Sequence, residues 1–143
     1  MKKLLLAMGL VGTLLWGGIY TQKLTNCLID NTTSKDLKVL KKWIFFAFAQ
    51  DEELKPYVRV TQSDIERVNR QVGDFFNRLL LEDCRRELKM AVHVEGPGAV
   101  RTAFQYLGRM AGMAVFNSPG VKRFLKGYTK YIDEKRLEEV IGE

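Results

Sequence analysis

Residues 63–98, SDIERVNRQVGDFFNRLLLEDCRRELKMAVHVEGPG, decide the fold class, because they contain the longest helical pattern in the chain. Apolar residues recur along this stretch every three or four positions, which is the spacing of one helix face. Ser63 and Glu66 have the spacing of a capping box, in which a hydroxyl and a carboxylate each accept a backbone N–H. We therefore predict a helix from Thr61 or Ser63 to about Val94, ended by the Gly-Pro-Gly triplet that closes the stretch. A helix of about thirty residues has room for a kink.

Shorter segments on both sides carry the same helical signals, and no part of the sequence alternates with the period of a strand. We predict helices over about 35–50 and 99–116, a further helix that begins at Pro119 with Ser118 as its cap, and a short last helix capped by Asp133. The predicted fold is all-α, a small four- to five-helix bundle that follows an N-terminal signal peptide or signal anchor.

Two local features add detail to the prediction for the helix over about 35–50 and the segment before it. Residues 21–33 are mostly polar and end in residues that favour helix caps, so they are predicted to be a lead-in without helix. The second half of the helix, Trp43–Phe48, is apolar nearly all round. A helix that is apolar on every side is normally buried, so we expect this part to be covered by several neighbours.

The N-terminal 21 residues have the composition of an export signal. Two lysines precede Leu4–Tyr20, a stretch of 17 residues without charge, and a polar segment follows it. Lysines at this position stay in the cytoplasm, so the remaining chain is expected outside it. The possible cleavage sites lack the usual small residues, but 17 residues is short for a membrane anchor. Residues 1–21 are thus a signal peptide or an uncleaved anchor, and 22–143 form a single helical domain that is periplasmic or tethered to the inner membrane.

The chain contains two cysteines, Cys27 and Cys84. An even number of cysteines in an exported chain indicates a disulfide, so we predict that these two are bridged. Lipidation of Cys27 is not expected, because lipoprotein signals have a small residue before the modified cysteine and this chain has Asn26. The predicted bridge would fasten the N-terminal lead-in to the long helix.

Two glycines in the helix predicted over 99–116 suggest a close contact with another backbone. Gly108 and Gly112 lie off the predicted core face of that helix, next to Arg101 and Gln105. A glycine inside a helix costs about 1 kcal/mol relative to alanine, which a close approach could offset. These four residues are predicted to bind a partner protein, and the alternative is packing within the bundle.

A second candidate surface is basic. Four cations lie on one side of the predicted fourth helix, and aromatic and aliphatic residues lie on its other side. The cations are Lys122, Arg123, Lys126 and Lys130. They form either the solvated back of a helix that packs into the core or a contact with anionic lipid or an acidic partner.

Catalytic signals are absent from the sequence. It has no CxxC, HExxH, glycine-rich phosphate loop or EF-hand spacing, and its only histidine is His93. Asp83 falls on the line of the apolar stripe in the long helix, where a carboxylate needs a partner such as an arginine. We predict a protein that is not an enzyme and that uses no cofactor or metal. The alternative is an unrecognised enzyme that uses Asp83 or His93.

Charge and composition restrict the partners. The net charge is +6 and 46% of the residues are hydrophobic, which is ordinary for a globular protein. Nucleic acid is not expected as a ligand of an exported chain. The sequence therefore predicts an envelope protein that acts by binding another envelope protein or the anionic membrane surface. An inhibitor or immunity-type factor for an envelope enzyme is the alternative within the same class.

Overall fold

Seven α-helices account for most of the chain described by the structure, a computed structural model that covers residues 17–143. In chain order they are α1 Ile19–Asp30, α2 Ser34–Phe48, α3 Gln62–Arg78, α4 Arg85–Glu95, α5 Gly98–Phe116, α6 Pro119–Leu125 and α7 Glu134–Ile141. The same residues contain no strand, so the all-α prediction is confirmed. The predicted count of four to five helices is wrong for this part of the chain, because α1 is additional and the long predicted helix is divided into α3 and α4.

The chain divides into two compact units, Met1–Gly112 and Met113–Glu143. In the first unit α1 packs against α4 and α2 packs against α3. The second contains the end of α5, then α6, a 3₁₀ segment at Lys126–Tyr131, and α7, and none of its residues is buried. The single domain over 22–143 stays a prediction.

The core of the first unit joins residues that are far apart in sequence. Its fully buried side chains include Leu24 and Leu28 of α1, Leu79 after α3, Ala91 of α4 and Ala103 of α5. Burial of a leucine side chain contributes about 1.5–3 kcal/mol relative to its exposure. The helices that contribute to this core therefore depend on partners from distant parts of the chain for much of their stability.

Helix α1 corrects the prediction that residues 21–33 lack helical structure. Its first turn begins at Ile19, so the predicted boundary between residues 21 and 22 lies inside this helix. The N-terminal end of α1 receives its cap from Glu95, which accepts the backbone N–H groups of Tyr20 at 3.0 Å and Thr21 at 2.9 Å. Such a cap cannot be recognised from the residues next to α1, because the carboxylate is contributed by the end of α4.

The Glu95 carboxylate is held in its ionised form by these contacts. Burial by itself raises the pKa of Glu95, but the hydrogen bonds from Thr21 and Tyr20 outweigh it and leave the pKa below its ordinary value. Gly18 makes the arrangement possible, because a Cβ at this position would overlap the Glu95 carboxylate. The first described residues are thereby fastened to the end of α4.

Residues 1–16, which include most of the predicted export signal, lie outside the described residues. Among the helices of residues 17–143, none is long and apolar enough to cross a membrane.

Helix α2 begins close to its predicted position. Thr33 and Asp36 form a capping box, since the Thr33 hydroxyl accepts the Asp36 N–H at 3.1 Å and the Asp36 carboxylate accepts the Thr33 N–H at 2.9 Å. The expected burial of Trp43–Phe48 is wrong. Phe45 is 51% exposed and Phe48 is 62% exposed, because α2 packs along one side only.

The long predicted helix changes its geometry in the middle. Its N-terminal capping box is formed by Thr61 and Asp64, two residues before the predicted pair. Residues Leu79–Asp83 form a π-helical turn, in which the Cys84 N–H donates to the Leu79 carbonyl at 2.7 Å. The wider turn contains one extra residue, so the side chains that follow it point in different directions around the helix axis than a regular α-helix would give them. Gly96 then ends α4 with φ +90, a conformation that favours glycine, as the Gly-Pro-Gly triplet predicts.

This rotation about the helix axis explains why Asp83 is exposed rather than buried along the apolar stripe. Asp83 has the predicted arginine partner, since Arg78 Nε donates to Asp83 Oδ2 at 3.2 Å. Arg78 also donates to both Oδ atoms of Asp36 and to the Asn31 carbonyl, at 3.1 Å. One guanidinium thus joins the turn before α2, the first turn of α2 and the π-helical turn.

The electrostatics of this cluster favour its charged form. Burial by itself raises the pKa of Asp36, but hydrogen bonds from Arg78 and Thr33 outweigh it and lower the pKa below its ordinary value. The same hydrogen bonds to Asp36 raise the pKa of Arg78, so the guanidinium remains charged.

The predicted pairing of the cysteines is confirmed in the same region. The sulfur atoms of Cys27 and Cys84 lie 2.04 Å apart, at disulfide distance. Cys84 is fully buried and follows the π-helical turn directly, while Cys27 lies in α1. Asn31 covers the pair, because its Nδ2 donates to the Cys27 carbonyl at 2.9 Å. The disulfide and Arg78 together hold α1 and α2 on the bend between α3 and α4.

Candidate functional site

An apolar groove runs between α2 and α5, with a volume of about 410 Å³. Leu40, Trp43 and Ile44 of α2 form one side, and Phe76 of α3 contributes to the base. The α5 side is formed by Arg101, Phe104, Gln105, Leu107, Gly108 and Ala111. Three of the four residues predicted to bind a partner therefore line one groove, and Gly112 is not among the lining residues.

The aromatic rings at the base of the groove hold one another in place. Phe76 lies between Trp43 and Phe104, with ring centroids 6.2 Å and 4.7 Å away and edge-to-face geometry in both pairs. Such pairs contribute about 0.5–1.5 kcal/mol beyond the burial of their surface. Trp43 is also oriented by a hydrogen bond of 3.0 Å from its Nε1 to Asn69 Oδ1. The groove consequently has an aromatic base whose rings pack edge to face.

The sequence does not identify these aromatic residues as part of a site. Trp43 belongs to a segment expected to be buried, and Phe76 lies within the long predicted helix. Helical periodicity identifies apolar faces, but it does not show which part of a face the neighbouring helix leaves uncovered. The exposed part appears only when α5 is placed beside α2.

Packing among residues 17–143 does not explain the two glycines of α5. Apart from its chain neighbours and the backbone of its own helix, a Cβ at Gly108 or Gly112 would have none of these residues within 4 Å, so no second backbone from this part of the chain approaches them. Gly108 is exposed and leaves space at the edge of the groove. The sequence pattern predicts a core face of Ala99, Ala103, Leu107, Met110 and Ala114; the first three are buried, together with Ala111, while Met110 and Ala114 are half-buried.

Gly108→Leu is expected to raise the free energy of unfolding by about 0.5–1 kcal/mol, because leucine is the better helix former and has open space here. Gly73→Leu in α3 is the matched control, since Gly73 is also exposed and has no neighbour within 4 Å. Urea unfolding followed by circular dichroism measures both changes. A lower stability of Gly108→Leu alone would show that the groove closes against this position in solution.

Of the described residues that line the groove, only Arg101 is charged. It is exposed, as is Gln105 one turn further along α5. Within residues 17–143 no carboxylate lies within ion-pair distance of Arg101. The groove thus combines an apolar surface with one cation whose charge is available to a ligand.

The four predicted basic residues belong to the second unit. Lys122 and Arg123 are in α6, and Lys126 and Lys130 are in the following 3₁₀ segment, so the four cations do not share one α-helix. The expectation that the other side of this helix packs into the core is wrong. Phe124 is 81% exposed and lies between basic residues in sequence.

The two residues of the enzyme alternative do not form a site together. Asp83 is paired with Arg78 in the π-helical turn, and His93 is exposed near the end of α4. In the part of the chain that the structure describes, no cluster of three or more His, Cys, Asp or Glu side chains is suited to a metal ion.

Comparison of the sequence with known protein families, curated proteins and solved structures gives no match to any of them. The function is therefore argued from the groove and the surfaces around it.

Proposed function

We propose that this protein is a non-catalytic binding protein of the cell envelope, and that its α2–α5 groove binds an amphipathic helix of another protein. The observation that carries the proposal is the combination of an open apolar groove with a glycine at its edge. Helix-in-groove recognition places apolar side chains three or four residues apart into such a surface. The absence of a side chain at Gly108 lets a partner helix approach α5 closely.

Charge narrows the chemistry of the partner helix. Among residues 17–143, Arg101 is the only charged residue that lines the groove, so a partner carboxylate beside the apolar contacts would be favoured. Aromatic residues and arginine contribute most of the binding energy in many protein interfaces, and this groove has both. The expected partner is a helix with an apolar face and at least one Asp or Glu at its margin.

The envelope location is supported by the uncharged N-terminal stretch and by the cysteine pair, because disulfides are typical of oxidising compartments. The enzyme alternative has less support, since the Asp83 carboxylate is engaged by Arg78.

The proposal is tested by placing a photo-crosslinking residue at Gln105 in intact cells, with Gln71 on the exposed side of α3 as the matched control. The Gln105 position should give a crosslinked partner that the Gln71 position does not give. The crosslinked peptide, identified by mass spectrometry, should be an amphipathic helical segment that contains an acidic residue.

Substitutions in the groove decide whether the adduct depends on it. Gly108→Leu fills the groove and Arg101→Glu reverses its charge, so each should reduce the adduct by about tenfold or more. Gly73→Leu should leave the adduct unchanged. An adduct of equal yield in all these variants, or no adduct at Gln105, would contradict the proposal.

A further inference from the structure

A second cavity, of about 610 Å³, lies between the first turns of α1 and the outer side of α4. It is lined by Tyr20, Lys23, Arg86, Glu87, Lys89 and Met90. Three of these six side chains are cations and one is a carboxylate, so the cavity has an excess of positive charge. None of its residues belongs to the α2–α5 groove.

Helical spacing directs the lining residues of each helix into the same space. Tyr20 and Lys23 are three residues apart on α1, and Arg86 and Lys89 are three apart on α4, so each pair shares one face. Lys23 Nζ lies 5.5 Å from the centroid of the Tyr20 ring, which places a cation beside an aromatic side chain. The three cations are exposed and can reach a ligand.

Apolar groups lie next to these charges. Met90 lines the cavity and is 39% exposed, and Ile19 beside Tyr20 is also exposed. A membrane surface presents the matching arrangement, with phosphates at the headgroup level and hydrocarbon immediately below. Tyrosine side chains prefer this boundary because one end of the ring is apolar and the other is polar.

The cavity also lies where the uncharged N-terminal stretch joins the folded chain. That stretch ends at Tyr20, which itself lines the cavity, and Glu95 fastens this point to α4 through the backbone N–H groups of Tyr20 and Thr21. The cavity therefore lies at the end of the folded chain that is nearest in sequence to the uncharged stretch.

We propose that the cavity between α1 and α4 binds the phosphate-bearing headgroup of an anionic phospholipid. The inference rests on the export of the chain in the proposed function, but it does not use the groove or its partner. Each cation near an anionic membrane surface adds to the attraction, and the three together would determine which side of the protein faces the bilayer.

The test uses the full chain in neutral detergent micelles, titrated with a short-chain phosphatidylglycerol. The ¹³C-methyl resonance of Met90 reports on the cavity, and Met113, also exposed but in the second unit, is the internal control. We expect a saturable shift of the Met90 resonance and little change at Met113. Phosphatidylcholine of the same chain length should bind at least about tenfold more weakly, because its headgroup carries no net charge.

Matched substitutions identify the cations responsible. Replacing Lys23, Arg86 and Lys89 together by glutamine should weaken phosphatidylglycerol binding by at least about tenfold. Replacing Lys122, Lys126 and Lys130 by glutamine removes the same charge from the second unit and should change the affinity less than about twofold.

Three results would overturn the inference. The first is equal loss of affinity in the two triple variants, which would indicate a non-specific charge effect. The second is equal response of Met90 and Met113. The third is binding of inorganic phosphate or glycerol phosphate as tightly as the lipid, which would indicate a site for a free phosphate compound. None of these results bears on crosslinking at Gln105, so failure of this inference is distinguishable from failure of the proposed function.

Discussion

Replacing Cys84 by serine is expected to lower the free energy of unfolding by about 2–5 kcal/mol. The disulfide joins residues separated by 57 positions, and its loss frees a long loop in the unfolded chain. Cys84 is fully buried while Cys27 is partly exposed, so Cys84→Ser also buries a hydroxyl and should cost more than Cys27→Ser. Urea unfolding of the wild-type protein and of both variants measures the difference.

The double variant provides the control. Both single changes remove the same bond, so the double variant should be close in stability to Cys84→Ser. A reducing agent should destabilise the wild-type protein and leave the variants unchanged. Equal unfolding midpoints for wild type and Cys27→Ser would show that the bond contributes no stability, and thiol labelling of the native protein would show that it does not form.

Arg78→Ala is the second change with a large expected effect, a loss of about 2–4 kcal/mol in the free energy of unfolding. The substitution removes the guanidinium that binds both Oδ atoms of Asp36, the Asn31 carbonyl and Asp83. Asp36 is only 8% exposed, so its carboxylate would remain buried without its cation. Chemical unfolding followed by circular dichroism measures the loss.

Arg67→Ala is the matched control for this prediction. Arg67 is exposed, and its Nη1 lies 3.8 Å from Oδ1 of Asp64. Removal of this surface ion pair should change the free energy of unfolding by less than about 0.5 kcal/mol. Similar losses for the two variants would contradict the proposed role of Arg78 at the junction of the helices.

The pH dependence gives an independent measurement of the same cluster. The pKa of Asp36 is lowered in the folded protein, so its contribution to stability is present above the pKa of the unfolded chain. That contribution is lost as the pH falls through the lower folded pKa. The difference in stability between wild type and Arg78→Ala should therefore be largest near neutral pH and should narrow below about pH 4.

The ends of several helices follow from the sequence alone. Ser118 caps α6 ahead of Pro119, Asp133 caps α7, and Gly96 ends α4, all as predicted. These signals are reliable because a cap is a contact between groups three or four residues apart. Capping signals do not always fix the exact start of a helix. In α3 the capping box is formed by Thr61 and Asp64, although Ser63 and Glu66 have an equally suitable spacing.

The sequence also places three of the residues predicted to bind a partner on one face, for the same reason. Gly108, Arg101 and Gln105 lie on one side of α5 because they are separated by helical intervals, and this is a property of the sequence. The other side of the groove is formed by α2, and no local sequence pattern marks its residues as part of a groove. Trp43 and Ile44 have the apolar character of core residues, and only the distance between α2 and α5 leaves them open to a ligand.

The sequence by itself determined the all-α class, the pairing of Cys27 with Cys84 and most helix boundaries, because composition, periodicity and capping act over a few residues. Tertiary structure decided the rest. Helix α1 forms where its first turn meets Glu95, which is 75 residues from Tyr20. The π-helical turn rotates Asp83 out of the apolar stripe towards Arg78. Burial and capping of this kind depend on groups that are far apart in sequence and close in the folded protein. Local sequence patterns do not identify such pairs.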